Sequence, residues 1–128
     1  MTAKEIQLRS RGLTLLYAED EQEIRDQTLE FFKNFFDDID AAVDGQEALE
    51  LFEKKRHDVI VTDLKMPKMG GEELLEKAKA IHNGVITVAM SGISGGDEKR
   101  LLNSDYYVKK PASTTMLLKI LEQIVTGT

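Results

Sequence analysis

The chain has 128 residues, 41% hydrophobic and 31% charged, with a formal net charge of −6. That length and balance suit one folded domain rather than a disordered chain, and the absence of cysteine excludes disulfides and thiolate metal sites. The acidic balance without a basic cluster argues against nucleic-acid binding by this chain alone, and no apolar run approaches the about 20 residues that span a bilayer.

Residues 1–11 are polar and lack the apolar middle of a signal peptide. They are expected to be a tail or linker preceding a domain over residues 12–126, and the chain is expected to be cytoplasmic. LTLLYA (13–18) reads as a strand. EQEIRDQTLEFFKNFF (21–36) reads as a helix with Ile24, Thr28, Phe31, Phe32 and Phe35 on one face. IDAAV (39–43) is a short strand, and DGQEALELFEKK (44–55) a helix opened by a capping box of Asp44 and Glu47. VIVT (59–62) is a third strand. GEELLEKAKAI (71–81) is a helix with Leu74, Leu75, Ala78 and Ile81 inward. VITVAM (85–90) is a fourth strand, DEKRLLN (97–103) a short helix and YYV (106–108) a fifth strand. STTMLLKILEQIV (113–125) is the last helix, with Ser113 at its N-cap and Leu117, Ile120, Leu121 and Ile124 facing the core.

This is a (βα)5 pattern. The strands are near-continuous apolar runs, as expected where helices cover both faces of a parallel sheet. Right-handed crossovers then give a doubly wound α/β sandwich, flavodoxin-like, in which sites form at the carboxyl ends of the strands. At those ends stand Glu19, Asp20 and Glu21, then Asp63, then Ser91 and Gly92, then Lys109, Lys110 and Pro111. In a parallel sheet they share one edge. Close carboxylates repel unless a cation intervenes, and hard divalent cations favour oxygen ligands. An aspartate beside such a cation, a hydroxyl and a lysine is equipped to attack phosphorus. Each element alone is ordinary: acids suit a helix N-terminus, which is the simpler reading of Glu21, and Ser-Gly is a common turn. The four together, each on a separate strand end, are specific.

In this combination the chain resembles the receiver domain of two-component response regulators over roughly residues 12–126. The residues that carry the resemblance are Glu19-Asp20 in LLYAEDE, Asp63 in VIVTDLKMPKMGG, Ser91 in AMSG and Lys110 in YYVKKP. The resemblance implies a five-stranded parallel sheet of order 2-1-3-4-5. It implies Asp63 as phosphoacceptor, taking a phosphoryl group from a histidine kinase or phosphotransfer protein. Asp20, Asp63 and the backbone carbonyl of Lys65 would hold Mg2+ (or Mn2+), with Glu19 acting through a metal-bound water. Lys110 and Ser91 would contact phosphoryl oxygens, Ser91 and Tyr107 would form the switch, and Lys110-Pro111 would be a cis bond. Lys109 adjoins the motif, but adjacent strand residues point to opposite faces, so Lys110 is the one expected to reach the acids. The output partner is not named by the sequence. The implied output face, which could also support a homodimer, comprises the helix at 97–103, the strand at 106–108 and the last helix.

The chain departs from the family pattern in places. Gly70 stands where aspartate is usual, Ala112 where a bulky residue is common, and the stretch between Ser91 and Lys110 is short, which predicts a truncated or displaced helix at 97–103. Gly71 matches the glycine that opens the helix at 71–81. His57 and His82 read as surface residues at helix ends, and Met66, Met69 and Met90 as packing. Phe31, Phe32, Phe35 and Phe36 exceed one helical stripe, so one of them should be exposed or cover a sheet edge. Three rivals carry less: an aspartyl-nucleophile phosphatase, which commonly needs an aspartate where Lys65 stands; a flavodoxin-like cofactor binder, which needs a phosphate-cradling loop where Glu-Asp-Glu stands; and a receiver that is never phosphorylated.

Overall fold

The computed structural model describes residues 1–92 and 104–127. The helix expected at 97–103 lies outside them. The elements are α1 (Ala3–Ser10), β1 (Thr14–Ala18), α2 (Gln22–Phe32), β2 (Asp38–Ala42), α3 (Gly45–Lys55), β3 (Val59–Asp63), α4 (Gly71–Ile81), β4 (Ile86–Ser91), β5 (Tyr106–Lys109) and α5 (Thr114–Thr126). The five strands form one parallel sheet in the order β2-β1-β3-β4-β5, as expected.

The strand alternation sorts the core into two layers. Leu15, Tyr17, Val59, Val61, Val88 and Met90 point to the layer with Phe32, Leu117, Leu121 and Ile124. Leu16, Ala18, Ile60 and Ala89 point to the layer with Phe52, Leu74, Leu75 and Ala78. Leu15, Leu16, Val59 and Ile60 are fully buried, and covering both faces of the central strands is what selects their unbroken apolar runs. No helix among the described residues is long and apolar enough to cross a membrane.

Several local expectations are revised. Residues 3–10, expected within a tail or linker, form a helix packed on α5. Thr2 and Glu5 make a full capping box, Ile6 is 3% exposed, and the buried Ser10 hydroxyl donates to Phe35 O at 2.5 Å. The Thr-x-x-Glu spacing at residues 2–5 was the available signal. At α3 the expected capping box is half formed. Asp44 Oδ1 accepts from Glu47 N–H at 2.8 Å, but Glu47 Oε1 accepts from Val43 N–H at 3.0 Å. The helix expected over 21–36 ends at Phe32; Phe35 and Phe36 follow in the turn and are buried, while Phe31 is half-buried and packs beside Phe35 with tilted rings 5.1 Å apart.

His57 corrects the reading of it as a surface residue. It is fully buried, its ring stacks on Phe52, and its Nε2 lies 2.7 Å from Asp40 Oδ2. Asp40 also meets Lys55 Nζ at 3.1 Å. The His57 hydrogen bond, with help from Lys55, holds the Asp40 carboxyl below the usual carboxylate range. His82 is exposed, as expected.

Candidate functional site

Parallel register assembles the site. Ala18 is paired with Thr62, Asp63 with Met90, and Ser91 with Lys109, so the residues that follow or end these strands emerge at one edge. There Asp20, Glu21, Asp63, Lys65, Ser91, Gly92 and Lys110 line a cleft of about 430 Å³. Glu19 lies beneath it, 1% exposed. One carboxylate oxygen from each of Glu19, Asp20 and Asp63 lies within 4.8 Å of the other two.

Burial alone would make so many acids unfavourable, and a lysine offsets it. Lys110 Nζ sits 2.7 Å from Glu19 Oε1 and 3.2 Å from Asp63 Oδ2. Burial pushes the Glu19 carboxyl up from its ordinary value, with Lys110 opposing the rise. Burial works against the Lys110 ammonium, yet the contacts with Glu19 and Asp63 outweigh it and raise its pKa. Lys109, next along β5, is exposed and does not line the cleft, as the alternation of the strand requires.

The loop from Asp63 to Gly71 is pinned at several points. Leu64 N–H donates to Met90 O at 3.1 Å, and Gly71 N–H donates to Leu64 O at 2.9 Å. Gly45 N–H, at the start of α3, donates to Met69 O at 3.2 Å, and Met69 is buried as anticipated. Lys68 adopts φ 66°, a conformation unusual for a non-glycine residue. Gly71 serves by its missing side chain: a Cβ there would drive into Asp63 O and crowd Leu64 Cα. Gly45 has the same relation to Met69 O.

On the other side, Ser91 is 3% exposed, its carbonyl accepts Lys110 N–H at 2.8 Å, and Tyr107 OH donates to the same carbonyl at 3.4 Å. The Lys110-Pro111 peptide is cis. Of the residues singled out in the sequence, Asp20, Asp63, Lys65, Ser91 and Lys110 line the cleft and Glu19 contacts Lys110 from beneath it, whereas Tyr107 and Pro111 are not among its lining residues.

One participant was discounted and another missed. Glu21, assigned to the start of α2, is its N-cap but makes no side-chain capping bond, and it lines the cleft. Arg25 donates from Nη1 to Glu19 O at 2.8 Å, tying α2 to the acidic turn. Its separation of six residues from Glu19 has no simple helical signature, because the turn between them is not helical.

Among the described residues the donor set is all oxygen: carboxylates, with no histidine lining the cleft, which suits a hard divalent cation.

The sequence matches the response regulator receiver domain over residues 15–122. Among curated relatives, the regulatory protein VanRB of Enterococcus faecalis is 29% identical over 89% of this chain and 53% of its own length. The transcriptional regulatory protein PdtaR of Mycobacterium tuberculosis is 31% identical over 88% of this chain and 56% of its own. The chain therefore spans about half the length of these relatives. Among solved structures, the receiver domain of the Francisella response regulator 1452 superposes with a TM-score of 0.78 at 28% identity, covering 90% of this chain and 98% of that one. A CheY-like receiver domain protein from Methanospirillum hungatei superposes at 0.81 with 26% identity, covering 90% and 94%. The match over residues 15–122, on a sheet of order 2-1-3-4-5 with its acids gathered at the carboxyl edge, makes this chain a member of the receiver domain family of two-component response regulators.

Proposed function

We propose that this receiver works as a phosphoacceptor switch, with Asp63 as the residue that carries the phosphoryl group. The observation that supports this most directly is the convergence of the Asp63 carboxylate with Lys110 Nζ, 3.2 Å away, and with the Glu19 and Asp20 carboxylates in an open cleft.

The donor is a phosphohistidine on a histidine kinase or phosphotransfer protein. An Asp63 carboxylate oxygen attacks phosphorus, the O–P bond forms, and the P–N bond breaks with its electron pair going to the imidazole nitrogen. Asp20, Asp63 and the Lys65 carbonyl would hold Mg2+ or Mn2+, with Glu19 acting through a bound water. That ion supplies positive charge against the carboxylates and the incoming phosphoryl oxygens. Lys110 shifts part of its hydrogen bonding from Glu19 and Asp63 to a phosphoryl oxygen. Such chemistry needs chiefly positioning and charge neutralisation, which fixed groups supply without reorganising at the moment of transfer.

The signal follows from the new charge. A phosphoryl group on Asp63 adds acceptor oxygens that draw the Ser91 hydroxyl towards it. Tyr107, bonded to the Ser91 carbonyl, then loses its partner and turns inward. The surface around β5 and α5 changes with it, and an output partner or second copy that prefers one state reads the difference. This relay belongs in the cytoplasm, where kinases are charged with phosphoryl groups. A flavodoxin-like cofactor binder is disfavoured by the family match and by the acids where a phosphate cradle would stand, and a phosphatase by Lys65.

The test is incubation with acetyl phosphate and Mg2+, read by intact mass. The native chain should gain one phosphoryl group and Asp63→Asn none. Undiminished uptake by Asp63→Asn would sink the assignment.

A further inference from the structure

The edge of the sheet opposite the cleft carries a hydrogen-bonded bracket that occurs twice. In the first, Thr14 N–H and its hydroxyl donate to Asp58 Oδ2 at 2.8 and 3.1 Å, and Asp58 N–H donates back to Thr14 Oγ1 at 2.9 Å. In the second, Thr87 N–H and its hydroxyl donate to Asp105 Oδ2 at 2.8 and 3.1 Å, and Asp105 N–H donates back to Thr87 Oγ1 at 2.9 Å. Each bracket stands one step before the first pair of its ladder, Leu15 with Val59 and Val88 with Tyr106. Asp58 O accepts Ile86 N–H at 3.0 Å, which joins the two brackets into one seam across β1, β3, β4 and β5. Lys79 Nζ of α4 ties this seam to the helix layer, donating to Asp105 Oδ2 at 3.1 Å and to Val85 O at 2.6 Å.

The bracketed strand pairs are those that carry the site. β1 leads to Asp20 and β3 ends at Asp63; β4 ends at Ser91 and β5 leads to Lys110. Asp63 follows Asp58, and Lys110 follows Asp105, by five residues, about 16 Å of extended chain. A slip of one residue turns every side chain of a strand to the other face, so Lys109 rather than Lys110 would meet the acids. β5 is the strand most open to that error: it has four residues, lies at the sheet edge and, among the described strands, pairs with β4 alone. The same slip would break all three bonds of a bracket at once. Burial opposes the Asp105 charge, yet the hydrogen bonds from Thr87 N–H and Lys79 hold its carboxyl below the usual range, as an acceptor.

We infer that Asp58 and Asp105 are positioning residues for phosphoryl transfer, Asp58 by setting Asp63 against Asp20, and Asp105 by setting Lys110 against Asp63 and Ser91. The inference rests on the phosphoacceptor reading above. Neither aspartate lines the cleft; each acts through its strand. A displacement of about 1 Å at a reacting group can cost about 100-fold in rate, so a seam one strand length away is felt at the cleft. The two brackets divide the site between them. Asp58 governs the pair of carboxylates that would hold the divalent cation. Asp105 governs the lysine that meets the phosphoryl oxygen. Lys110 competes with that cation for Glu19 and Asp63, so loosening it does not weaken metal binding.

That division supplies the experiment. Asp58→Ala and Asp105→Ala are compared with Asp58→Asn and Asp105→Asn, whose side-chain oxygen still accepts from threonine. Mg2+ affinity is read by titration calorimetry and acetyl phosphate labelling by intact mass at saturating Mg2+, both referred to the folded fraction from urea unfolding. Asp58→Ala should lower Mg2+ affinity about fivefold or more, the scale of one lost hydrogen bond. Asp105→Ala should lower kcat/KM for labelling by a similar factor without lowering Mg2+ affinity. Asparagine should restore most of each loss. Where Asp105→Ala does not fold, Thr87→Val removes the two bonds of the hydroxyl at similar side-chain shape, with a smaller labelling loss of the same kind. Native Mg2+ affinity and labelling per folded molecule in the alanine variants overturns the inference. So does an equal loss of both properties in each, which would mean general loosening of the sheet. A native chain that takes no label removes the phosphoacceptor reading instead, and this inference with it.

Discussion

Gly71→Ala is the sharpest test of how the fold positions Asp63. The added Cβ would overlap Asp63 O and press on Asp63 C and Leu64 Cα, the two carbons at 3.1 and 3.0 Å. These are backbone atoms of the strand end and of the first loop residue, so no side chain can swing aside. Relief requires the 64–70 loop and the start of α4 to separate. Overpacking of this kind costs about 1–3 kcal/mol. The separation also weakens the 2.9 Å bond from Gly71 N–H to Leu64 O, worth about 1 kcal/mol. Alanine's better helix propensity returns up to about 1 kcal/mol. The net expectation is about 1–3 kcal/mol of destabilisation in urea unfolding, a fall of several degrees in Tm. The movement displaces Asp63 and Lys65 relative to Asp20, so Mg2+ affinity and acetyl phosphate labelling should fall in the fraction that remains folded. Gly12→Ala is the control, because nothing lies within 4 Å of a Cβ there. A Gly71→Ala protein matching Gly12→Ala in stability and in Mg2+ affinity would refute the claim that this glycine is needed for close approach.

Two further outcomes are expected. Ile6→Ala should destabilise the fold by about 2–3 kcal/mol in urea unfolding, because its side chain is 3% exposed within the α2–α5 core layer, while labelling by acetyl phosphate stays unchanged. A loss below about 0.5 kcal/mol would mean that α1 is not held on α5 in solution. Asp40→Asn should destabilise at neutral pH and lose its effect in acid. The folded Asp40 pKa is depressed, so its contribution is present above the unfolded value of about 3.9 and disappears as pH falls through the lower folded value. Denaturation of both proteins at pH 7 and near pH 3 checks the sign, and a native–variant gap that widens in acid would contradict it.

The layering of the fold was legible in the sequence because its signals are local. Four of the strands are short apolar runs, the helices repeat at helical spacing, and Ser113 caps α5 as its type and position suggest, accepting Met116 N–H at 3.2 Å. The site was legible for the same reason. In a parallel sheet each strand's last residue reaches the same edge, so Asp20, Asp63, Ser91 and Lys110 can be gathered from four separate one-dimensional positions. What the sequence could not decide were relations between distant segments. His57 follows a helix end, where exposure is the ordinary outcome, and only the packing of Phe52 and the approach of Asp40 from β2 bury it. Residues 3–10 are polar enough to read as a tail, and a single inward isoleucine with one serine hydrogen bond docks them on the core. Lys110 divides its contacts between a carboxylate after β1 and one at the end of β3, a geometry set by register rather than by any spacing.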